Sequence, residues 1–274
     1  MIIICATVVV WEMDFVMLKN KIVFITGASS GIGTACAKQF AAIGAKLLLC
    51  ARRIDILNRL KEELQDEHRV DVHTFCLDVR QSEQVTERLK RLSKEWQNVD
   101  VLINNAGLAA GLDPIQEGNF QDWDDMINTN IKGLLYVTKE ILPQMVKRNT
   151  GHIINIGSIA GHQVYPKGAV YCATKQAVNA LSNGLRMDLF GTKIRVSTVD
   201  PGAVETSFST VRFKGDAKRA AAVYEGMEPL GPEDVADAVV YCASRPQHVN
   251  ISEIIIMPTD QASATMIARK QEQG

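Results

Sequence analysis

The chain of 274 residues is long enough for one large α/β domain, and its 46% hydrophobic content is sufficient for a sizeable core. Its 30 basic and 31 acidic side chains nearly cancel, which argues against a nucleic-acid-binding protein with a basic surface. Six cysteines without C-x-x-C spacing predict reduced thiols in a cytosolic protein, and the five histidines show no zinc-ligand spacing, so no metal is expected.

The first segment, residues 1–18, contains an apolar run that stops at Glu12 and Asp14. The run is too short to span a bilayer, which needs about 20 apolar residues, and it lacks the features of a secretory signal. An extra packed segment, a disordered lead and an upstream start codon before Met17 all remain open, and we expect one of the last two. Residues 1–18 are therefore assigned to an extension, and residues 19–274 to one domain without membrane attachment.

Seven short apolar segments rich in β-branched residues are predicted as strands, and several have the continuous apolar character of strands covered on both faces. They are residues 22–26, 45–50, 70–77, 99–104, 152–157, 194–200 and 251–257. Amphipathic helical patterns lie between them, and Ser82 is expected to cap the helix whose apolar positions lie within 85–96. This alternation predicts an α/β fold, a single Rossmann-type doubly wound parallel sheet with helices on both faces.

The first strand runs into TGASSGIG at residues 26–33, where glycines stand at 27, 31 and 33. Gly27 permits a sharp turn, Gly31 permits close approach of a ligand to the backbone, and Gly33 permits tight packing of the next helix. The N–H groups of that helix would face a pyrophosphate. Because a predicted strand precedes the loop and a predicted helix follows it, we interpret the loop as a dinucleotide site rather than a plain glycine turn.

The end of the second predicted strand indicates which dinucleotide binds. A site for NAD usually places an acidic residue there, but this chain has Ala51, Arg52 and Arg53, with no acid before Asp55. Two guanidinium groups favour the 2′-phosphate of NADP through charge-assisted hydrogen bonds. The alternative is that both arginines merely begin a solvated helix.

Two further strand ends carry candidate cofactor contacts. Asp78 and Val79 follow the third strand, where the carboxylate would either accept from an adenine amino group or cap the next helix. Asn105, Ala106 and Gly107 close the fourth strand, and their small side chains would let the backbone pass close to a ribose. A simple β-turn is the alternative for this segment.

The stretch YCATK places Tyr171 four residues before Lys175, so that both side chains share one face of a helix. Ser158 ends an apolar strand at the sheet edge where doubly wound folds bind ligands. A lysine cation one turn away favours the phenolate and would lower the tyrosine pKa, making the phenol a usable acid or base. Ser158 would hold a substrate hydroxyl or carbonyl against that phenol.

Taken in order, TGASSGIG, NNAG, Asn130 in MINTNIKG, Ser158, Y-x-x-x-K and Pro201-Gly202 resemble the short-chain dehydrogenase/reductase family over about residues 20–260. The resemblance implies the strand order 3-2-1-4-5-6-7 and a catalytic tetrad of Asn130, Ser158, Tyr171 and Lys175. Asn130 would order a water that links Lys175 to solvent. The implied cofactor-binding residues are Gly27, Ser29, Ser30, Gly31, Ile32, Gly33, Arg52, Arg53, Asp78, Val79, Asn105, Ala106, Gly107, Tyr171, Lys175, Pro201, Gly202, Val204 and Thr206.

The stretches ARRIDIL, PGAVETSFSTVRFKGD and IIIMPTDQAS are similar to one subgroup, the NADP-dependent 3-hydroxy acid dehydrogenases. That similarity implies hydride transfer between the nicotinamide and C3 of a small 3-hydroxy acid of the serine or allo-threonine type. It also implies a homotetramer formed through helices around residues 122–147 and 170–190.

The segment 207–229 is polar and is interpreted as a lid over the substrate. Arg212 within it would meet a substrate carboxylate or be an exposed loop arginine, and His162 would line the pocket or lie at the surface. The rival functions are an NADP-dependent carbonyl reductase of steroids, lipids or sugars, a non-catalytic NADP-binding regulator, and a nucleotide-sugar epimerase or dehydratase. The last needs a larger C-terminal lobe than the roughly 70 residues that follow Pro201.

Overall fold

A computed structural model describes residues 17–270, so residues 1–16 of the assigned extension lie outside the described part of the chain. Seven parallel strands form one sheet in the order β3-β2-β1-β4-β5-β6-β7, which confirms the predicted fold class. The strands are β1 (Ile22–Thr26), β2 (Lys46–Ala51), β3 (Val72–Cys76), β4 (Val101–Asn104), β5 (Gly151–Ile156), β6 (Ile194–Pro201) and β7 (Glu253–Ile256).

The α-helices of the described residues alternate with these strands, as the sequence pattern predicts. They are α1 (Gly31–Ala42), α2 (Ile54–His68), α3 (Ser82–Lys90), α4 (Phe120–Ile127), α5 (Leu134–Arg148), α6 (Ala169–Asp188), α7 (Phe208–Arg212), α8 (Ala217–Ala222) and α9 (Pro232–Ser244). A π-helical segment, Asn128–Gly133, joins α4 directly to α5. The expected cap at Ser82 is wrong, because Ser82 is the first helical residue and Gln81 occupies the capping position without a side-chain bond.

The sheet is buried on both faces, and alternation along β1 shows how. Val23 and Ile25 point into one apolar cluster, which the inward faces of α1, α2 and α9 complete. Ile22 and Phe24 point into the other cluster, which α3 and α5 help to complete. Full burial of such a side chain contributes about 1.5–3 kcal/mol. The two-sided core therefore holds the strand ends, and the residues that follow them, in fixed positions.

The predicted lid, residues 207–229, is not an irregular loop throughout, because it contains two short helices, α7 and α8. A short parallel bridge between Val204 and Leu230 closes the base of this segment. The lid is thus a compact helical unit attached at the end of β6.

Two sequence expectations concern the whole chain. Between residues 17 and 270, no helix has both the length and the apolar character needed to cross a membrane. Five cysteines in the same range are free, and four of them are buried, while Cys76 is exposed. Burial raises the pKa of the Cys36, Cys50 and Cys242 thiols, which disfavours their reactive thiolate forms.

Candidate active site

The candidate residues that follow strands β1 to β6 lie together at one edge of the sheet, because all the strands are parallel and their carboxyl ends meet there. They follow β1 to β6 in turn: the glycine loop after β1, Arg52 and Arg53 after β2, Asp78 and Val79 after β3, Asn105 to Gly107 after β4, Ser158 after β5, and Gly202 after β6. The topology therefore creates a crevice lined by residues that are distant in the sequence.

The glycine loop after β1 has the tight geometry that its sequence predicts. Gly27 has a φ of +68°, and a Cβ there would lie 2.9 Å from the Cα of Ala106. The Asn105 amide donates from Nδ2 to the carbonyl oxygens of Thr26, at 2.9 Å, and of Gly27, at 3.2 Å. Asn105 therefore fixes the loop that it faces, and only glycine fits where the two backbones cross.

The first turn of α1 offers an anion site. Ser30 occupies the N-cap position but makes no side-chain bond to the helix. Its hydroxyl instead accepts from Nη2 of Arg53 at 2.9 Å, and Ser29 Oγ accepts from the same atom at 3.0 Å. The N–H groups of the first turn thus keep their hydrogen-bonding capacity for a phosphate, and the helix dipole favours one.

A cavity of about 430 Å³ lies along this edge, and it fits a dinucleotide in size and lining. Its lining includes Gly27 of the glycine loop, Gly107, Arg52 and Arg53, and the lid contributes Val211. Asp78 also lines the cavity, but its carboxylate already pairs with Arg80 at 2.7 Å. The alternative that Asp78 caps the next helix is wrong, because Gln81 occupies the capping position of α3 and no side chain caps it.

Asn130 lies in the π-helical segment and is only 2% exposed. Its Nδ2 donates to the Leu108 carbonyl at 2.9 Å and to Thr174 Oγ1 at 3.0 Å, while its Oδ1 accepts from the Leu108 N–H at 2.9 Å. The side chain therefore ties the segment after β4 to the helix that carries Tyr171 and Lys175. Irregular helical geometry of this kind is frequent at functional sites.

Ser158 lies at the end of β5 and is held by a buried carboxylate. Its backbone N–H donates to Asp200 Oδ1 at 3.1 Å, and Asp200 is fully buried at the end of β6. Asp200 Oδ2 lies 3.2 Å from Nε2 of His162, which also lies 3.4 Å from Oε1 of Glu253. His162 lies at the surface, as one of its two expected positions has it, and its ring contacts the buried Asp200 from there.

Tyr171 and Lys175 lie one turn apart on α6 and are both buried. Burial of the phenol, aided by Tyr165, raises the pKa of Tyr171, while a hydrogen bond with Ser158 and the charge of Arg212 lower it. Burial lowers the pKa of Lys175 to about 8, against the opposing charge of Asp200. The Lys175 ammonium donates to the Ile156 carbonyl at 2.9 Å, and its Nζ lies 6.0 Å from the Tyr171 ring centre.

The charges around Tyr171 differ from the sequence expectation in one respect. We expected Lys175 to lower the pKa of Tyr171, but burial raises this pKa. The cation that opposes the rise is Arg212, whose guanidinium carbon lies 5.7 Å from the Tyr171 ring centre. Two cationic side chains from different elements, Lys175 of α6 and Arg212 of α7, thus lie within about 6 Å of the Tyr171 ring centre.

The segment after β6 reaches back to the glycine loop. A Cβ on Gly31 would lie 3.1 Å from Cγ2 of Thr206, so this segment forms the opposite wall of the crevice. Gln261 accepts from the Ala203 N–H at 2.8 Å and is itself buried. Gln261 and Asp200 were missed because a single polar residue next to a predicted strand has no periodicity or motif that marks it.

Comparison with known proteins identifies the family that the motifs resemble. Residues 21–217 match the profile of the family described as short chain dehydrogenase. The chain is 47% identical over 244 residues to the NADP-dependent 3-hydroxy acid dehydrogenase YdfG of Salmonella typhi, covering 89% of this chain and 97% of that protein. It is 42% identical over 255 residues to the NADP-dependent 3-hydroxy acid dehydrogenase of Schizosaccharomyces pombe, covering 93% and 98%.

A solved structure described as the closed form of serine dehydrogenase complexed with NADP+ superposes with a TM-score of 0.85 at 45% identity, covering 91% of this chain and all of that chain. The serine dehydrogenase of Escherichia coli superposes with a TM-score of 0.77 at 42% identity, covering 88% and 99%.

Proposed function

The chain belongs to the short-chain dehydrogenase family, and on that premise we propose that it is an NADP-dependent oxidoreductase acting on C3 of small 3-hydroxy acids. The proposed substrates are of the serine or allo-threonine type. The observation that carries the proposal is the placement of Ser158, Tyr171 and Lys175 at the same sheet edge as the dinucleotide cavity. Sequence identity of 45–47% to proteins named NADP-dependent 3-hydroxy acid dehydrogenase supports the substrate class.

The residues that line the cavity suit the phosphate groups of NADP. The free N–H groups of α1 suit the pyrophosphate, and the close backbone approach at Gly27 makes room for it. Arg52 and Arg53 are exposed in the lining of the cavity and suit the 2′-phosphate. When bound, NADP accepts or supplies the hydride at C4 of its nicotinamide.

Tyr171 is the proposed proton-transfer group. In oxidation the phenol oxygen takes the proton of the substrate C3 hydroxyl, and in reduction the phenol protonates the developing alkoxide. Ser158 bonds the same substrate oxygen and so orients C3. Lys175, buried and held by the Ile156 carbonyl, adds a positive charge that favours the phenolate and lies within reach of a ribose hydroxyl.

Asn130 is proposed as the fourth member of this set. Its contacts with Leu108 and Thr174 keep the segment after β4 beside α6, which supports a role in ordering a water between Lys175 and solvent. Asp200 is proposed as a positioning residue, because it fixes the Ser158 backbone from beneath.

We further propose a cytosolic homotetramer. Met187 in the last turn of α6 is 77% exposed, and Phe190, two residues beyond the end of that helix, is 93% exposed. This helix is expected at a subunit interface. Large apolar side chains exposed together are typical of protein–protein contacts. Analytical ultracentrifugation of the full chain measures its molecular mass in solution. We expect the mass of a tetramer, and the mass of a monomer would contradict the proposal. The free thiols support the location.

The function is tested by NADP reduction with a panel of serine, allo-threonine, 3-hydroxybutyrate and simple alcohols. The proposal predicts that the acids have the highest kcat/KM. Turnover of bulky steroids or sugars without turnover of any acid would contradict it.

A further inference from the structure

Arg212 ends α7 in the lid and reaches across the crevice. Its guanidinium carbon lies 5.5 Å from the ring centre of Tyr165 and 5.7 Å from that of Tyr171. The guanidinium therefore stands between two phenols of the opposite wall, of which one is the proposed proton-transfer group.

Hydrogen bonds between Gly111 and Arg212, which belong to two different segments, fix this position. The Gly111 N–H donates to the Arg212 carbonyl at 3.0 Å, and Nε of Arg212 donates to the Gly111 carbonyl at 3.1 Å. Nε is engaged, and the guanidinium also acts on the Tyr165 phenol, whose pKa burial raises and the guanidinium lowers. The remaining Nη donors are the part left to bind a ligand. A small cavity lined by Tyr171, Gly111, Trp123 and Arg212 lies beside it.

Arg212 differs from the other cations of the lid, Lys214, Lys218 and Arg219, because it is half-buried and they are exposed. Lys214 pairs with Asp122 of α4 at 2.9 Å, and Arg219 stacks on Phe213 of the lid at 4.5 Å. Within residues 17–270, no carboxylate lies at ion-pair distance from Arg212, although its side chain is half-buried. A partly buried charge without a counter-ion is costly, so this position favours binding of an anion.

The distance from Tyr171 matches a 3-hydroxy acid. In such a substrate two carbon–carbon bonds of about 1.5 Å each separate C3 from the carboxyl carbon. A substrate whose hydroxyl reaches Ser158 and Tyr171 thus has its carboxylate beside that phenol, in the space that Arg212 faces. Guanidinium and carboxylate groups form paired hydrogen bonds of about 2.7–2.9 Å, a geometry that lysine does not reproduce.

We infer that Arg212 binds the substrate carboxylate and so selects 3-hydroxy acids over uncharged alcohols. The inference rests on the proposed function and names the residue that determines its substrate class. Because Arg212 belongs to the lid, the carboxylate also supplies the counter-ion that holds α7 against the segment containing Gly111.

The test compares Arg212→Gln, Arg212→Lys and the control Arg219→Ala on a matched pair of substrates, 3-hydroxybutyrate and its methyl ester. A hydrogen bond to a charged group is worth about 1.5–3 kcal/mol, so Arg212→Gln should lower kcat/KM for the acid by about 10- to 100-fold. The ester should change by less than about threefold, and Arg212→Lys should recover only part of the acid activity. Arg219→Ala should leave the acid-to-ester ratio unchanged.

Folding of the variants is checked by NADP binding, because the cofactor cavity is lined by Ser207, Thr210 and Val211 of the lid and not by Arg212. Added methylguanidinium should restore turnover of the acid, but not of the ester, in an Arg212→Ala variant. If Arg212→Gln keeps the wild-type ratio of kcat/KM for the acid to that for the ester, whether or not both values fall, the inference is overturned and the proposed function is not. A wild-type enzyme that turns over no 3-hydroxy acid would overturn both.

Discussion

At the scale of single residues, the choice of cofactor depends on two guanidinium groups after β2. Arg53 bonds the hydroxyls of Ser29 and Ser30, so it stands over the loop that precedes α1. Arg52 is exposed in the lining of the same cavity. Neither charge has a role toward a plain ribose hydroxyl, so their effect should be confined to the 2′-phosphate.

Replacing either arginine should therefore impair NADP more than NAD. With Arg52→Ala or Arg53→Ala, we expect kcat/KM for NADP to fall by about 10- to 100-fold, the loss of a charge-assisted hydrogen bond. The value for NAD should change by less than about threefold. Steady-state kinetics with both cofactors measures this, with the exposed Arg59→Ala on α2 as the control; equal losses for NAD and NADP would show that the arginines do not read the phosphate.

At the scale of elements, the glycine loop and the start of α1 act as one rigid unit. A Cβ on Gly33 would lie 2.5 Å from Nδ2 of Asn105 and 2.6 Å from the Gly27 carbonyl oxygen. Both atoms belong to the contact that fixes the loop, so neither has room to move.

Gly33→Ala should consequently weaken NADP binding by tenfold or more and lower the melting temperature, since overpacking typically costs about 1–3 kcal/mol. The matched control is Gly184→Ala within α6, where a Cβ meets nothing within 4 Å of the same chain. Titration of NADP by fluorescence, with thermal melts, measures both quantities. Normal NADP affinity in Gly33→Ala would mean that the loop does not need this close packing.

The elements also show how far sequence reasoning reaches. Strand positions and the glycine loop were predictable because buried parallel strands and tight turns leave strong local patterns. The sheet order was predictable only from the family resemblance. The helices of the lid, the pairing of His162 with Asp200 and the position of Arg212 between two phenols were not. Each depends on contacts between residues far apart in the chain, and a lone polar residue carries no periodic signal.

At the scale of the whole molecule, the sheet core buries one ionisable group that limits stability in acid. His152 on β5 is 1% exposed, and its Nε2 lies 2.8 Å from Oγ of Ser197. Because that hydroxyl donates to the Ile251 carbonyl, Nε2 must be the protonated nitrogen, and Nδ1 is left without a partner among the described residues. Burial, together with the charge of Arg195, lowers the pKa of His152 well below 6.5.

The sign of the pH effect follows. Below pH 6.5 the unfolded chain takes up a proton at His152 and the folded protein does not, so this residue makes stability fall as the pH decreases. A single group contributes up to about 1.4 kcal/mol per pH unit. Denaturant unfolding between pH 7 and 5 should therefore show a shallower loss of stability in His152→Gln than in the wild type. Identical slopes would mean that the pKa of His152 is the same in the folded and the unfolded protein.

The proposed function requires that Tyr171 transfers the substrate proton while NADP accepts or supplies the hydride. The most direct test is Tyr171→Phe, assayed by NADPH formation from serine and by NADP binding. We expect kcat to fall by about 10²–10⁴-fold, the usual contribution of a positioned acid or base, with NADP affinity changed by less than about threefold. A Tyr171→Phe enzyme that oxidises serine at the wild-type rate would contradict the account.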